Sequence, residues 1–161
     1  MYYVELVDAF AVEEYANPPL YKLFHSALRD LVNDQEVNIA MVHFQWHLLR
    51  ICGFMPELYI CVECQQMIAP GNHRFSVELG GVLCSKCGSV RSSSVCLSLA
   101  ALKVLRYLHR SSDFTPLSLQ LSGALKRQLI DILDNSVRHW ADREIRSKRF
   151  MDEVGSELAE V

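Results

Sequence analysis

Two pairs of cysteines constrain this 161-residue chain more than any other feature: Cys61-x2-Cys64 and Cys84-x2-Cys87, nineteen residues apart. Two thiolates three residues apart can grip one tetrahedral zinc ion at about 2.3 Å from each sulfur, and a second such pair closes the shell. The chain must fold back between the pairs for this to happen. The β-compatible runs 74–77 and 82–84 flank Gly80-Gly81, which reads as a tight hairpin turn. Four sulfurs leave no open position for water, so the site reads as structural, with one zinc held by Cys61, Cys64, Cys84 and Cys87. The competing reading of the same residues is two redox pairs or plain buried thiols. His73 lies between the pairs and reads as a hairpin surface residue, because the thiolates already complete the shell. Cys52 and Cys96 fall on helical patterns and read as small core residues.

The rest of the chain reads as helix. A short helix fits residues 3–10. Asn17 is a suitable N-cap for Pro18, and Leu20, Leu23, Phe24, Ala27, Leu28 and Leu31 follow at helical spacing, so an amphipathic helix is expected over 18–33. The run 33–35 breaks it. Residues 37–51 are apolar around most of the helical circumference, which marks the buried centre of a bundle, ended by Gly53 and Pro56. Helical periodicity stops at 57 and returns at Ser98, a good N-cap. The serines at 89 and 92–94 read as a flexible exit. A last long helix is expected from about 119 to 142, weakly interrupted by Gly123. The expected fold is therefore mainly α: a helical bundle (1–56 and 96–152) with an inserted four-cysteine zinc finger (57–95) that contains a small β-hairpin. An acidic tail over 153–161 is expected to be disordered.

Charge narrows the function. The net charge of −3 hides a balance of −5 over residues 1–90, +6 over 91–149 and −4 over 150–161. Lys103, Arg106 and Arg110 recur at i, i+3 and i+7 of one helix. Arg138, Arg143, Arg146, Lys148 and Arg149 gather towards the end of the last one. Part of that second group serves the helix dipole. Its density also suits a phosphate backbone or an acidic C-terminal peptide. No run approaches the ~20 apolar residues that cross a bilayer, and no signal-peptide pattern opens the chain, so the expected compartment is the reducing cytoplasm. No enzyme motif is complete. No histidine is followed two places on by glutamate, and the position after His43 in the His43/His47 pair is Phe44, where a metalloprotease needs glutamate. Neither a phosphate-binding glycine loop nor a nucleophile elbow is present. The reading is of a protein that is not an enzyme.

Several segments together resemble the RecO family of bacterial recombination mediators. They are Glu5-Leu6-Val7-Asp8, Pro19-Leu20-Tyr21-Lys22-Leu23-Phe24, Phe44-Gln45-Trp46-His47-Leu48-Leu49, Gly53-Phe54-Met55-Pro56-Glu57-Leu58, both cysteine pairs, Gly80-Gly81-Val82-Leu83 and Arg146-Ser147-Lys148-Arg149-Phe150. The resemblance spans residues 3 to 152. It implies a helical domain with a zinc-finger insert and a role in DNA repair and homologous recombination, in a nucleoid-associated protein of the cytoplasm. It further implies single- and double-stranded DNA, RecR and the acidic C-terminal tail of the single-stranded DNA-binding protein as partners, with RecA loading as the outcome. RecO-like proteins usually begin with an OB-fold. This chain begins where their helical region does, as a piece of a longer protein or the product of a short gene, and its DNA binding is expected to be weakened or lost without that module. The first cysteine pair also departs from the usual pattern, with Gln65 where glycine often follows. A different class of reading is a zinc-ribbon nucleic-acid module of the transcription or translation machinery, which predicts that the excised insert binds nucleic acid by itself.

Overall fold

The computed structural model describes residues 2–11, 16–32, 36–111 and 120–159, with side chains for 4–11, 16–30, 36–111 and 120–142. Among the described residues six helices and three short strands follow in chain order: α1 (Tyr2–Phe10), α2 (Pro18–Val32), α3 (Val37–Ile51), β1 (His73–Ser76), β2 (Gly81–Leu83), α4 (Ser85–Val90), β3 (Val95–Leu97), α5 (Leu99–Arg110) and α6 (Gly123–Ala159). The fold is mainly helical, as the periodicity predicts. The run 33–35 expected to break α2 lies outside the described residues.

Local chemistry sets the helix ends. Asn17 accepts the Leu20 N–H at 3.1 Å, and Ser98 accepts the Ala101 N–H at 3.2 Å, so each caps a first turn. At the end of α3 the Phe54 N–H reaches the Leu49 carbonyl (2.8 Å) and the Gly53 N–H the Arg50 carbonyl (3.2 Å). That pair of bonds needs a left-handed residue at Gly53, whose φ is +80°. Gly123 does not interrupt a helix that began earlier: α6 starts there, with Ser122 capping the Leu125 N–H at 3.3 Å. The helix then runs on to Ala159, through most of the acidic segment expected to be disordered.

α3 is the centre. Its residues Ile39, Ala40 and 42–49 are buried, and it packs against α2 and α6. Trp46, Leu48 and Leu49 are fully enclosed. The apolar cluster does not stop at residue 57. Leu58, Phe75, Val82, Leu83 and Leu97 join Leu48, Leu102, Leu105 and Leu133 in one core. His43 and His47 lie in this core with ring centroids 4.3 Å apart. Burial, reinforced by His43 and Arg50, lowers the pKa of His47 to about 3, so it is neutral in the folded chain at ordinary pH.

The sheet is larger than the expected hairpin. β1 is central, with β2 and β3 antiparallel on either side; Phe75 faces Val82 across one ladder and Val95 across the other. The serine-rich stretch read as a flexible exit instead contains the end of α4 and the turn into β3. Cys96 therefore sits on an exposed edge strand, not on a helix, while Cys52 is the C-cap of α3.

Candidate metal centre and basic surface

Three backbone bonds bring the two cysteine pairs together. Glu57 N–H reaches the Gly80 carbonyl, Val82 N–H the Glu57 carbonyl and Val62 N–H the Val82 carbonyl, at 2.9, 2.9 and 3.0 Å. The chain before the first pair thus lies along the β2 end of the hairpin. Close approach explains Gly81, which is the first residue of β2 and not part of the turn. A Cβ there would stand 2.5 Å from Val62 Cγ1 and 2.7 Å from the Glu57 carbonyl oxygen. The turn itself is residues 77–80, with Gly80 at φ +67°.

The four sulfurs of Cys61, Cys64, Cys84 and Cys87 all lie within 4.8 Å of one another. Cys64 and Cys84 are 3.7 Å apart. A tetrahedron with 2.3 Å metal–sulfur bonds has edges of about 3.8 Å, so this spacing fits a shared metal ion. The peptide groups are arranged to match. The Cys84 N–H donates to Cys61 Sγ at 3.3 Å, and Gln65 N–H closes the first loop on the Cys61 carbonyl at 2.9 Å. Burial opposes ionisation of Cys61, but the N–H groups of Cys64, Cys84 and Glu63 converge on it and bring its pKa down to about 6. Cys87 answers the other way: the neighbouring Cys84 and burial push it up to about 12. Four thiols so close oppose one another's ionisation, and a cation at their centre removes that opposition. Gln65 occupies the place where a glycine was expected and adopts a left-handed φ of +60°. Gly88, after the second pair, serves packing: a Cβ there would meet the Arg74 stem at 2.9 Å. His73 stands apart from the sulfurs, with Nε2 on the Ala69 carbonyl at 2.7 Å.

The basic residues do not form one surface. Arg106 turns inward. Its guanidinium donates to the Leu58 carbonyl from Nε (3.1 Å) and from an Nη (2.7 Å), and stacks 4.8 Å over the Tyr59 ring. It braces α5 against the loop carrying the first cysteine pair, a role the i, i+3, i+7 spacing conceals. Lys103 and Arg110 stay exposed on α5, and Tyr107 between them is 52% exposed. Sequence reasoning missed Tyr107, although its i+4 spacing from Lys103 was available. Arg138 is exposed and bonded to Asp134 at 2.8 Å. Arg143, Arg146, Lys148 and Arg149 lie on α6, with side chains outside the described residues. Replacing Arg106 by methionine is expected to destabilise the fold by about 2 kcal/mol, since it strips a charged donor from a part-buried carbonyl. Lys103→Met should change stability by less than ~0.5 kcal/mol. Urea denaturation of both variants separates the brace from the exposed base; equal losses would contradict the assignment.

A family model described as the C-terminal part of recombination protein O matches residues 1–149. The chain belongs to the RecO family. The chain is 33% identical over 153 residues to the DNA repair protein RecO of Roseiflexus sp., 34% over 155 residues to that of Desulforudis audaxviator and 29% over 153 residues to that of Dehalococcoides mccartyi. These alignments take in 95–96% of the chain and 54–61% of the relatives' own lengths. The resemblance drawn from the sequence segments is borne out, and the cysteine cluster of this RecO-family chain fits metal binding. Among the described residues no helix is long and apolar enough to cross a membrane.

Proposed function

We propose that this chain is a non-enzymatic scaffold of recombinational repair in the cytoplasm, built around one structural zinc ion and contacting nucleic acid and acidic peptide through its basic surfaces. The observation that carries this reading is the pairing of a closed four-sulfur centre with an exposed Lys103–Tyr107–Arg110 stripe on the helix that Arg106 braces. The zinc assignment rests on the all-sulfur donor set and the tetrahedral edge length. A closed shell offers no position for substrate, which favours scaffolding over catalysis. Bases flanking an aromatic ring suit a single strand, whose phosphates meet the charges while a base stacks on the ring. The family relationship supports recombination partners: RecR, the acidic tail of the single-stranded DNA-binding protein, and RecA as the protein loaded.

Two measurements divide these assignments. Fluorescence anisotropy with a labelled oligothymidylate should show Lys103→Ala/Arg110→Ala binding at least fivefold more weakly, with a salt slope reduced by about 1.4 for the two lost phosphate contacts. An unchanged slope contradicts the α5 stripe. Binding of an acidic, Phe-terminated peptide should weaken in Arg143→Ala/Arg146→Ala; equal affinity in the variant, or no binding by either protein, contradicts the α6 assignment.

A further inference from the structure

Residues 79–112 contain Lys86, Arg91, Lys103, Arg106 and Arg110 and no aspartate or glutamate. A cleft of about 460 Å³, lined in part by this stretch, opens between β1, α4, β3 and α6. Its walls include Asn72, Arg74, Ser85, Ser98 and Gln128, and no acidic residue. An adjoining cleft of about 360 Å³, which shares Cys96 and Gln128, has Asp131 beside Arg127, so the lack of acid is local.

Arg74 is held in place with unusual care. Its stem lies on Gly88, where any Cβ would collide with it. Its Nε donates to Ser94 Oγ at 2.6 Å, one Nη donates to the Ser94 carbonyl, and the other makes only a 3.8 Å contact with Cys96 Sγ. Two of its five N–H bonds have no partner among the described residues. Across the wall, Asn72 turns its oxygen to the Leu99 N–H at 3.0 Å, which leaves its amide nitrogen without a protein partner. Ser85 adds an exposed hydroxyl on α4. A fixed guanidinium, an amide N–H2 and a hydroxyl around an acid-free cleft make a donor-rich receptor for an oxyanion.

We infer that this cleft binds a phosphate group of a nucleic-acid backbone. The inference rests on the nucleic-acid reading of the preceding section and adds a second contact point to the α5 stripe. The lining favours phosphate over an acidic peptide: beside the His73 imidazole and the Cys96 thiol it is hydroxyl, amide and guanidinium, with Leu97 as its one aliphatic side chain and no Phe, Tyr or Trp ring to seat a peptide's apolar residues. Arg74, Asn72 and Ser85 position the strand without reading its sequence.

The test uses the full metal-loaded chain and a labelled oligothymidylate. Ser85→Asp places one negative charge in the cleft and should weaken binding at least tenfold. Asn72→Asp keeps the oxygen that holds the Leu99 N–H, and should do the same if Ser85→Asp disturbs α4. Ser92→Asp adds the same charge outside the cleft and should stay within twofold of the parent. Equal binding by the two cleft variants and Ser92→Asp overturns the inference. So does a loss confined to an acidic Phe-terminated peptide, which would make the cleft a peptide site. Inorganic phosphate that shifts the Asn72 side-chain N–H2 resonances where the oligonucleotide leaves them unmoved also overturns it, leaving a free-phosphate site. If Lys103→Ala/Arg110→Ala abolishes binding and the cleft variants do not, the α5 reading survives alone. If the parent chain binds no oligonucleotide, both readings fall.

Discussion

Cys61→Ser is expected to leave a chain that no longer binds metal tightly and melts far below the parent. Cys61 is the buried member of the four sulfurs, and its sulfur accepts the Cys84 N–H. Structural zinc contributes on the order of 10 kcal/mol or more to small domains, while an ordinary domain is stable by only about 5–15 kcal/mol in total. The damage should not stay local. Leu58, Phe75, Val82 and Leu83 belong to the same apolar cluster as Leu48, Leu102 and Leu133. Releasing the sulfurs therefore frees one wall of the helical core. The expected result is a large drop in the midpoint of helix melting by circular dichroism, and the same drop when a strong chelator is added to the parent. Cys52→Ser and Cys96→Ser, outside the sulfur cluster, should melt close to the parent. If Cys61→Ser melts with the parent and the chelator has no effect, the four sulfurs do not hold the fold together.

The second large effect is expected from a single methyl group. Gly81→Ala sets a Cβ 2.5 Å from Val62 Cγ1 and 2.7 Å from the Glu57 carbonyl oxygen. The side chain can rotate away, but the carbonyl cannot, because it accepts the Val82 N–H that ties the first cysteine pair to the sheet. Overpacking of this kind costs about 1–3 kcal/mol, and contact with backbone puts Gly81→Ala near the upper end. Urea denaturation should register a loss of about 3 kcal/mol. Adding Val62→Ala should restore part of it by removing one of the two collisions. The two changes are thus non-additive in the stabilising direction. A Gly81→Ala chain as stable as the parent would show that the two segments are not so close.

What the sequence revealed was local, and what it hid was tertiary. Asn17, Gly53 and Ser98 act through bonds within a few residues, so their identities alone located three helix ends. The cysteine spacing was equally legible, because two loops of fixed length are enough to present four sulfurs together. β3 escaped notice: three residues, Val95–Leu97, show no usable alternation, and the strand exists by pairing with β1 twenty-two residues earlier in register Arg74↔Cys96. Cys96 was misplaced on a helix for the same reason. Arg106 looked like part of a basic face because its spacing from Lys103 is helical; only the folded chain brings the Leu58 carbonyl to it. Gly81 looked like a turn residue, but its role depends on Val62 and Glu57 crossing above it. Ser122 before Gly123 was a start signal available to local reading, and the apolar stripe on both sides of it concealed the boundary.

X-ray absorption at the zinc K-edge, combined with elemental analysis of the purified chain, addresses the centre itself. One zinc per chain with four sulfur neighbours at about 2.3 Å is the predicted result. A sub-stoichiometric metal content, or a shell in which nitrogen or oxygen replaces any of the four sulfurs, would contradict it.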